Sequence, residues 1–468
     1  MKQQPLAWTI HTPMETPTLR RVRARGLQAR TPAVGRVPSR GIQGCEITGL
    51  ARPKPSRLRR YWPLAPGQVF LNHGSFGACP KPILELQTQL RRDMETAPVQ
   101  FLWRHYDDRL QAARTQVARF VGARPRDLVF VTNATTGINA VARSLKLRRG
   151  DELLTTSHDY NACHNVLVET ARQAGARLVT VRVPFPLRGP SEIVEAVLRA
   201  VTRRTRLAML DHVTSPTALV FPIAQLVREF AARGVEVLVD GAHAPGMVPL
   251  QVAKLGTAYY TGNLHKWVCA PKGAAFLWVR EDKQKGIQPA VISHGHNTPR
   301  PGFSAFQDRF DWAGTADPTA WLCAGEAIPW MERLYPGGWP AIRDANHQLA
   351  VSARRLLCER LQLEPPCPDS MLGAMATLPL PEPFQGRPRS GKIEAEQLRL
   401  HDEYGIELPL LRFGSPERRY FRISAHLHNS LAEYTYLAEA LTAFHAKPPR
   451  RRADILVRVR LLNPKTRA

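Results

Sequence analysis

The chain has 468 residues, 44% of them apolar, which is enough for two or three hydrophobic cores and too many for a disordered or fibrous protein. No stretch reaches the roughly 18 to 20 consecutive apolar residues a membrane-spanning helix needs, and residues 1–30 lack the apolar centre of a secretory signal. The expectation is a soluble, cytoplasmic protein without a membrane partner.

The net charge of +26 suggests nucleic acid until it is mapped: residues 1–60 carry +11, residues 447–468 carry +7, and the 386 residues between them carry only +8. Both ends are Pro-rich and poor in large apolar side chains, so they read as a disordered basic leader (1–60) and a basic tail (447–468) rather than a nucleic-acid site. An Arg-rich, acid-poor leader also suits organelle targeting, although Ser39 and Ser56 are its only serines. Seven cysteines without a CxxC pair predict neither a metal site nor a disulfide framework.

From about 125 to 280 one pattern recurs: a short apolar run, a polar break, then a helix-like segment. The runs are DLVFVT (127–132), DELLTTS (151–157), RLVTVRV (177–183), RLAMLDH (206–212), VEVLVD (235–240) and AAFLWVR (274–280). Near-continuous apolar strands separated by segments such as PIAQLVREFAARG predict an α/β domain with a mainly parallel sheet covered on both faces. After about 320, long helical stretches (345–362, 430–446) around short strand-like pieces such as YFRISA read as a smaller α+β domain.

In open parallel sheets ligands gather at the carboxyl ends of the strands. VEVLVD ends in Asp240, a costly place for a carboxylate unless it caps a loop or faces a cation. VTNATTGINA, after the first run, could aim backbone N–H groups at a phosphate or could simply cap a helix. Lys266, between two β-type runs, is either a buried stem with its ammonium at the surface or a desolvated, nucleophilic amine. Together the three form what pyridoxal 5′-phosphate requires: donors for its phosphate, a carboxylate for its ring nitrogen and an amine for its aldehyde.

These segments, with NHGSFGACP, SHDYNA, HVTSPTALVFPI, VDGAHAPG, GNLHKWVCAPKG and RISAHLHNS, resemble the class V aminotransferase family, most closely its isopenicillin N epimerase-like branch, in order from about residue 66 to 446. The resemblance implies an aspartate aminotransferase-like fold, with a mainly parallel seven-stranded sheet in a large domain (91–320), a small α+β domain (321–446) and a segment, 61–90, joining the small domain. It implies Lys266 as the Schiff-base lysine, Asp240 as the partner of the ring nitrogen, and His158 as the residue stacked on the ring with Tyr160 close by. Thr135 and Thr136 match the phosphate cradle, joined by Asn263 and His265. His243 and Ser215 match positions near the ring's phenolic oxygen, and Arg422 matches the fork for the substrate carboxylate. Thr315 in WAGTADP resembles a threonine that reaches the phosphate of the neighbouring subunit, which implies a homodimer with shared sites. The sequence departs from the family pattern at His428, where Tyr is frequent, and at Ala218, where Gly is usual.

The expected function is a reaction at Cα of an amino acid. Epimerisation needs acid–base groups on both faces of Cα, for which His73, His158 and Tyr160 are candidates beside Lys266; β-elimination at a C–S bond needs Lys266 alone. A persulfide-forming desulfurase is not expected, because no cysteine lies between residues 368 and 446; Cys269 reads as packing.

Overall fold

The computed structural model describes residues 50–385 and 393–446. The expected tail at 447–468 and the leader up to residue 49 lie outside them. Charge alone puts the leader's end too late. Arg57–Tyr61 forms a 3-10 turn capped by the Ser56 hydroxyl, and Trp62 is buried. Arg52 donates to the carbonyls of Gly67 and Tyr404, and Arg59 to that of Gln68. These arginines satisfy backbone carbonyls of the folded unit, so they are not solvated tail residues.

The strands are β1 (Val69–Phe70), β2 (Leu128–Val131), β3 (Glu152–Thr156), β4 (Arg177–Val181), β5 (Thr205–Asp211), β6 (Glu236–Asp240), β7 (Tyr259–Asn263), β8 (Ala275–Val279), β9 (Met375–Pro379), β10 (Ile406–Glu407), β11 (Leu410–Phe413) and β12 (Arg418–Ser424). Seven of them form one sheet in the order β2-β8-β7-β6-β5-β3-β4. β8 runs antiparallel to both neighbours and every other pair is parallel. Every residue of β2, β3, β7 and β8 is buried, as a sheet covered by helices on both faces demands. Glycine permits the closest of those contacts. Gly137 lies on the helix Ala134–Ser144, and a Cβ there would sit 2.4 Å from Thr261 Oγ1.

The parallel arrangement sends the carboxyl ends of β5, β6 and β7 to one edge of the sheet, where Asp211, Asp240 and Asn263 stand. Because β8 is antiparallel, the loop from β7 to β8, which carries Lys266, stays on that edge. A three-stranded antiparallel sheet, β11-β12-β9, packs with the helices Gly338–Leu361 and Leu431–Ala446 and brings Arg422 on β12 to the same place. β1 pairs with β10, tying the segment before the large sheet to the smaller unit. Among the described residues no helix is long and apolar enough to cross a membrane.

One turn near the site is strained. Thr214 N donates to Leu219 O at 3.0 Å and Leu219 N returns to the Thr214 hydroxyl at 2.9 Å, and closing this loop puts buried Ala218 at φ 59°. A left-handed alanine costs about 1–2 kcal/mol, against about 0.5–1 kcal/mol of extra chain entropy for glycine. Ala218→Gly is therefore expected to raise unfolding free energy by roughly 0.5–1 kcal/mol in a denaturant titration; a loss of stability would mean that the buried methyl outweighs the strain.

Candidate active site

A cavity of about 480 Å³ opens at the shared edge, and Lys266, Asp240, Asp211, Asn263, His265, His243, Thr135, Tyr160, Ser215 and Arg422 all line it. The lysine is held from several sides. Leu264 N donates to Ala274 O, Ala270 N to Leu264 O, and His265 Nδ1 pairs with Ala274 O. Gly77 abuts the loop so closely that a Cβ there would lie 2.0 Å from His265 O.

Lys266 Nζ lies 3.0 Å from His243 Nε2, while Trp267 Nε1 donates to His243 Nδ1 at 3.4 Å. An indole N–H only donates, so Nδ1 accepts and the ring proton belongs on Nε2; that proton then points at an amine which can accept it only when neutral. Electrostatics agrees. Burial, then the Arg422 guanidinium, pull the Lys266 amine down to about 7, against the opposing pull of the Asp240 carboxylate. Burial likewise holds His243 neutral.

Asp240 caps its loop and faces the cavity. Its Oδ1 accepts from Ala242 N at 2.9 Å and its Oδ2 from the Cys163 thiol at 3.2 Å. Asp211, its register partner on β5, is a second buried carboxyl that sequence reasoning missed, although RLAMLDH ends in Asp as VEVLVD does. At the anion end, Asn133 caps the helix Ala134–Ser144 by accepting from Thr136 N at 2.8 Å, and Asn263 Oδ1 accepts from Ala134 N at 2.8 Å. Thr135 lines the cavity; the Thr136 hydroxyl turns away to Thr132 and Asn133. Arg422 donates to Ser215 and to the Ser75 hydroxyl, its Nε is buried without a partner, and among the described residues no carboxylate lies within ion-pair distance of it. Burial lowers it to about 10.

Besides Thr136, three expected residues lie outside the cavity lining. His158 is fully buried beneath the edge, its nitrogens engaged by Thr217 Oγ1 at 2.7 Å and Val183 O at 3.1 Å among Phe185, Phe221 and Phe413. The turn after β3 presents Tyr160 to the cavity in its place. His73 is also fully buried; its Nε2 contacts Lys266 O at 3.0 Å and its Nδ1 contacts His428 Nε2 at 3.2 Å, so it supports the lysine loop from below. Thr315 is exposed and lies outside its own chain's cavity.

His73, Cys269 and His426 bring their ligand atoms within 4.8 Å of one another. The His73 and His426 rings, however, are stacked at 4.1 Å with 16° between planes. Imidazole lone pairs lie in the ring plane, so these two cannot converge on one ion, and the trio reads as core packing. No cysteine among the described residues lines the cavity.

The sequence model of the class-V aminotransferases matches residues 85–368. The chain belongs to the class-V aminotransferase family. It is 35% identical over 392 residues to the isopenicillin N epimerase of Amycolatopsis lactamdurans, covering 81% of this chain and 95% of that one. It is 29% identical over 392 residues to a probable chloroplastic L-cysteine desulfhydrase of Arabidopsis thaliana, covering 79% and 82%. A solved structure of the C-DES enzyme with glycine covalently linked to its pyridoxal 5′-phosphate superposes with a TM-score of 0.71 at 21% identity, covering 82% of this chain and 98% of that one, which bears on the fold. The cofactor is pyridoxal 5′-phosphate, and the cavity fits it: an amine that deprotonates near pH 7, a hydrogen-bonded carboxylate and a helix N-terminus face one space.

Two measurements check this electrostatic account. Cofactor uptake by the apoprotein should be half-maximal near pH 7 and fall about tenfold per pH unit below it, following the neutral fraction of Lys266. Because Arg422 lowers the amine, Arg422→Gln should move that midpoint upward. A midpoint that stays put would remove Arg422 from the lysine's surroundings.

Proposed function

We propose that the chain is an amino-acid epimerase that removes and returns the α-proton of a substrate whose carboxylate is held by Arg422. The observation that carries this reading is a buried guanidinium with no counter-ion among the described residues, sharing one cavity with a lysine that loses its charge around pH 7. An isolated buried cation is costly, and a bidentate carboxylate is the partner its planar fork fits. When bound, the cofactor supplies a ring that draws off the electron pair left at Cα.

The residues divide the remaining work. Arg422 and Ser75 orient the substrate, with Ser215 holding the guanidinium in place. Lys266 takes the α-proton, and the hydrogen bond to His243 keeps its amine aimed and uncharged. Asp240, fixed by Ala242 and Cys163, holds positive charge on the ring nitrogen. Inversion needs a second proton carrier; of the three candidates read from sequence, Tyr160 is the one that lines the cavity, and His73 and His158 are sealed below it. We infer a homodimer with shared sites, in which exposed Thr315 reaches the partner's phosphate end; Phe76, at the cavity mouth and 73% exposed, marks a face for the second copy to cover.

β-Elimination at a C–S bond is the second reading. It is favoured by Lys266 being a sufficient base on its own and by the desulfhydrase relatives. Incubation with L-amino acids in deuterated water separates the two: exchange with inversion at Cα supports epimerisation, and pyruvate with sulfide from cysteine supports elimination. Tyr160→Phe should lower inversion by about 10²–10⁴-fold while Cα exchange with retention continues. Undiminished inversion would remove Tyr160 from the second face.

A further inference from the structure

Asp211 is a second carboxyl at the carboxyl edge of the large sheet. It ends β5 directly beside Asp240 at the end of β6, the two being register partners, and both line the cavity. It is 3% exposed, and neither Oδ1 nor Oδ2 has a hydrogen-bond partner among the described residues. Asp240 is supplied with the Ala242 N–H and the Cys163 S–H. The other titratable groups acting on Asp211 are Asp159, in the turn after β3, and Lys266.

Two carboxyls side by side in a buried site do not both ionise, and the proton settles on the one whose charge is least compensated. Donors stabilise the charged form of Asp240, and no donor stabilises that of Asp211. Burial and the neighbouring Asp240 push Asp211 well up, in the same direction. An O–H with no acceptor among the described residues, lining a cavity, needs its acceptor from whatever fills the cavity.

We propose that Asp211 is a second cofactor-contacting residue, a neutral carboxylic acid beside the carboxylate of Asp240, that donates its O–H to an acceptor atom of pyridoxal 5′-phosphate. The proposal rests on the cofactor assignment. It makes the site an acid–carboxylate pair with opposite duties. Asp240 carries the charge that answers the ring nitrogen, and Asp211 adds a donor without adding charge. A second carboxylate there would oppose the cofactor's own negative groups; a neutral acid does not.

The test uses Asp211→Asn, which keeps a donor and neutrality, and Asp211→Leu, which keeps only neutrality. Apoprotein of each is titrated with pyridoxal 5′-phosphate by absorbance. The Asn variant should bind within about threefold of wild type and the Leu variant roughly tenfold more weakly. An Asn variant weakened as much as the Leu variant, or a Leu variant that binds like wild type, overturns the proposal. Infrared difference spectra of wild-type and Asp211→Asn apoprotein read the proton independently of the cofactor. The carbonyl band of a protonated carboxyl should be present in wild type and missing from the variant. Its absence from wild type also overturns the proposal, whether or not the Leu variant folds. Wild-type apoprotein that takes up no cofactor would instead sink the cofactor assignment, while the infrared result would still decide the protonation of Asp211.

Discussion

An ammonium group held in the cavity at the sheet edge loses much of its hydration, and Lys266 meets little there that would restore it. The Arg422 guanidinium repels its charge, and its near neighbour His243 offers a proton where a charged amine would need an acceptor. The same burial that would be wasteful for a structural lysine makes this one a nucleophile and base near neutral pH. The rest of the site is arranged around that loss of charge. The carboxylate end is separated onto the tips of β5 and β6, the anion end onto a helix N-terminus, and the guanidinium comes from another sheet.

The support for the lysine lies below it. His73 contacts the Lys266 carbonyl and is itself backed by His428 and His426, a packed group of neutral imidazoles against Trp62 and Trp267. Burial keeps all three imidazoles uncharged. His428 and Ala218, the two departures from the family pattern, therefore act in different ways. His428 belongs to the floor under the lysine loop, and Ala218 accepts a strained turn that presents Ser215 to Arg422.

Much of this was legible in the chain because buried parallel strands write themselves as unbroken apolar runs, and because their ends fix where ligands bind. Six runs marked six of the seven strands of the large sheet within a residue or two at each end. Asp240 and Lys266 could be found from position and residue type. What failed was side-chain direction. His158 and Tyr160 are two residues apart in one turn, and nothing in SHDYNA says that the histidine turns down into a Phe-lined pocket while the tyrosine turns up. Asp211 escaped for a different reason: its carboxyl matters through its neighbour on the next strand, and register between strands is not written in either strand alone. The leader boundary failed because charge counts do not show that Arg52 and Arg59 end on backbone carbonyls.

Everything in the site turns on the Lys266 amine losing its charge near neutral pH, and that amine can be titrated directly. With lysines labelled at 13Cε, the Lys266 resonance of the apoprotein, identified by its loss in Lys266→Met, can be followed against pH. Its midpoint should lie at about 7. A midpoint near the ordinary lysine value of 10.5 would contradict it.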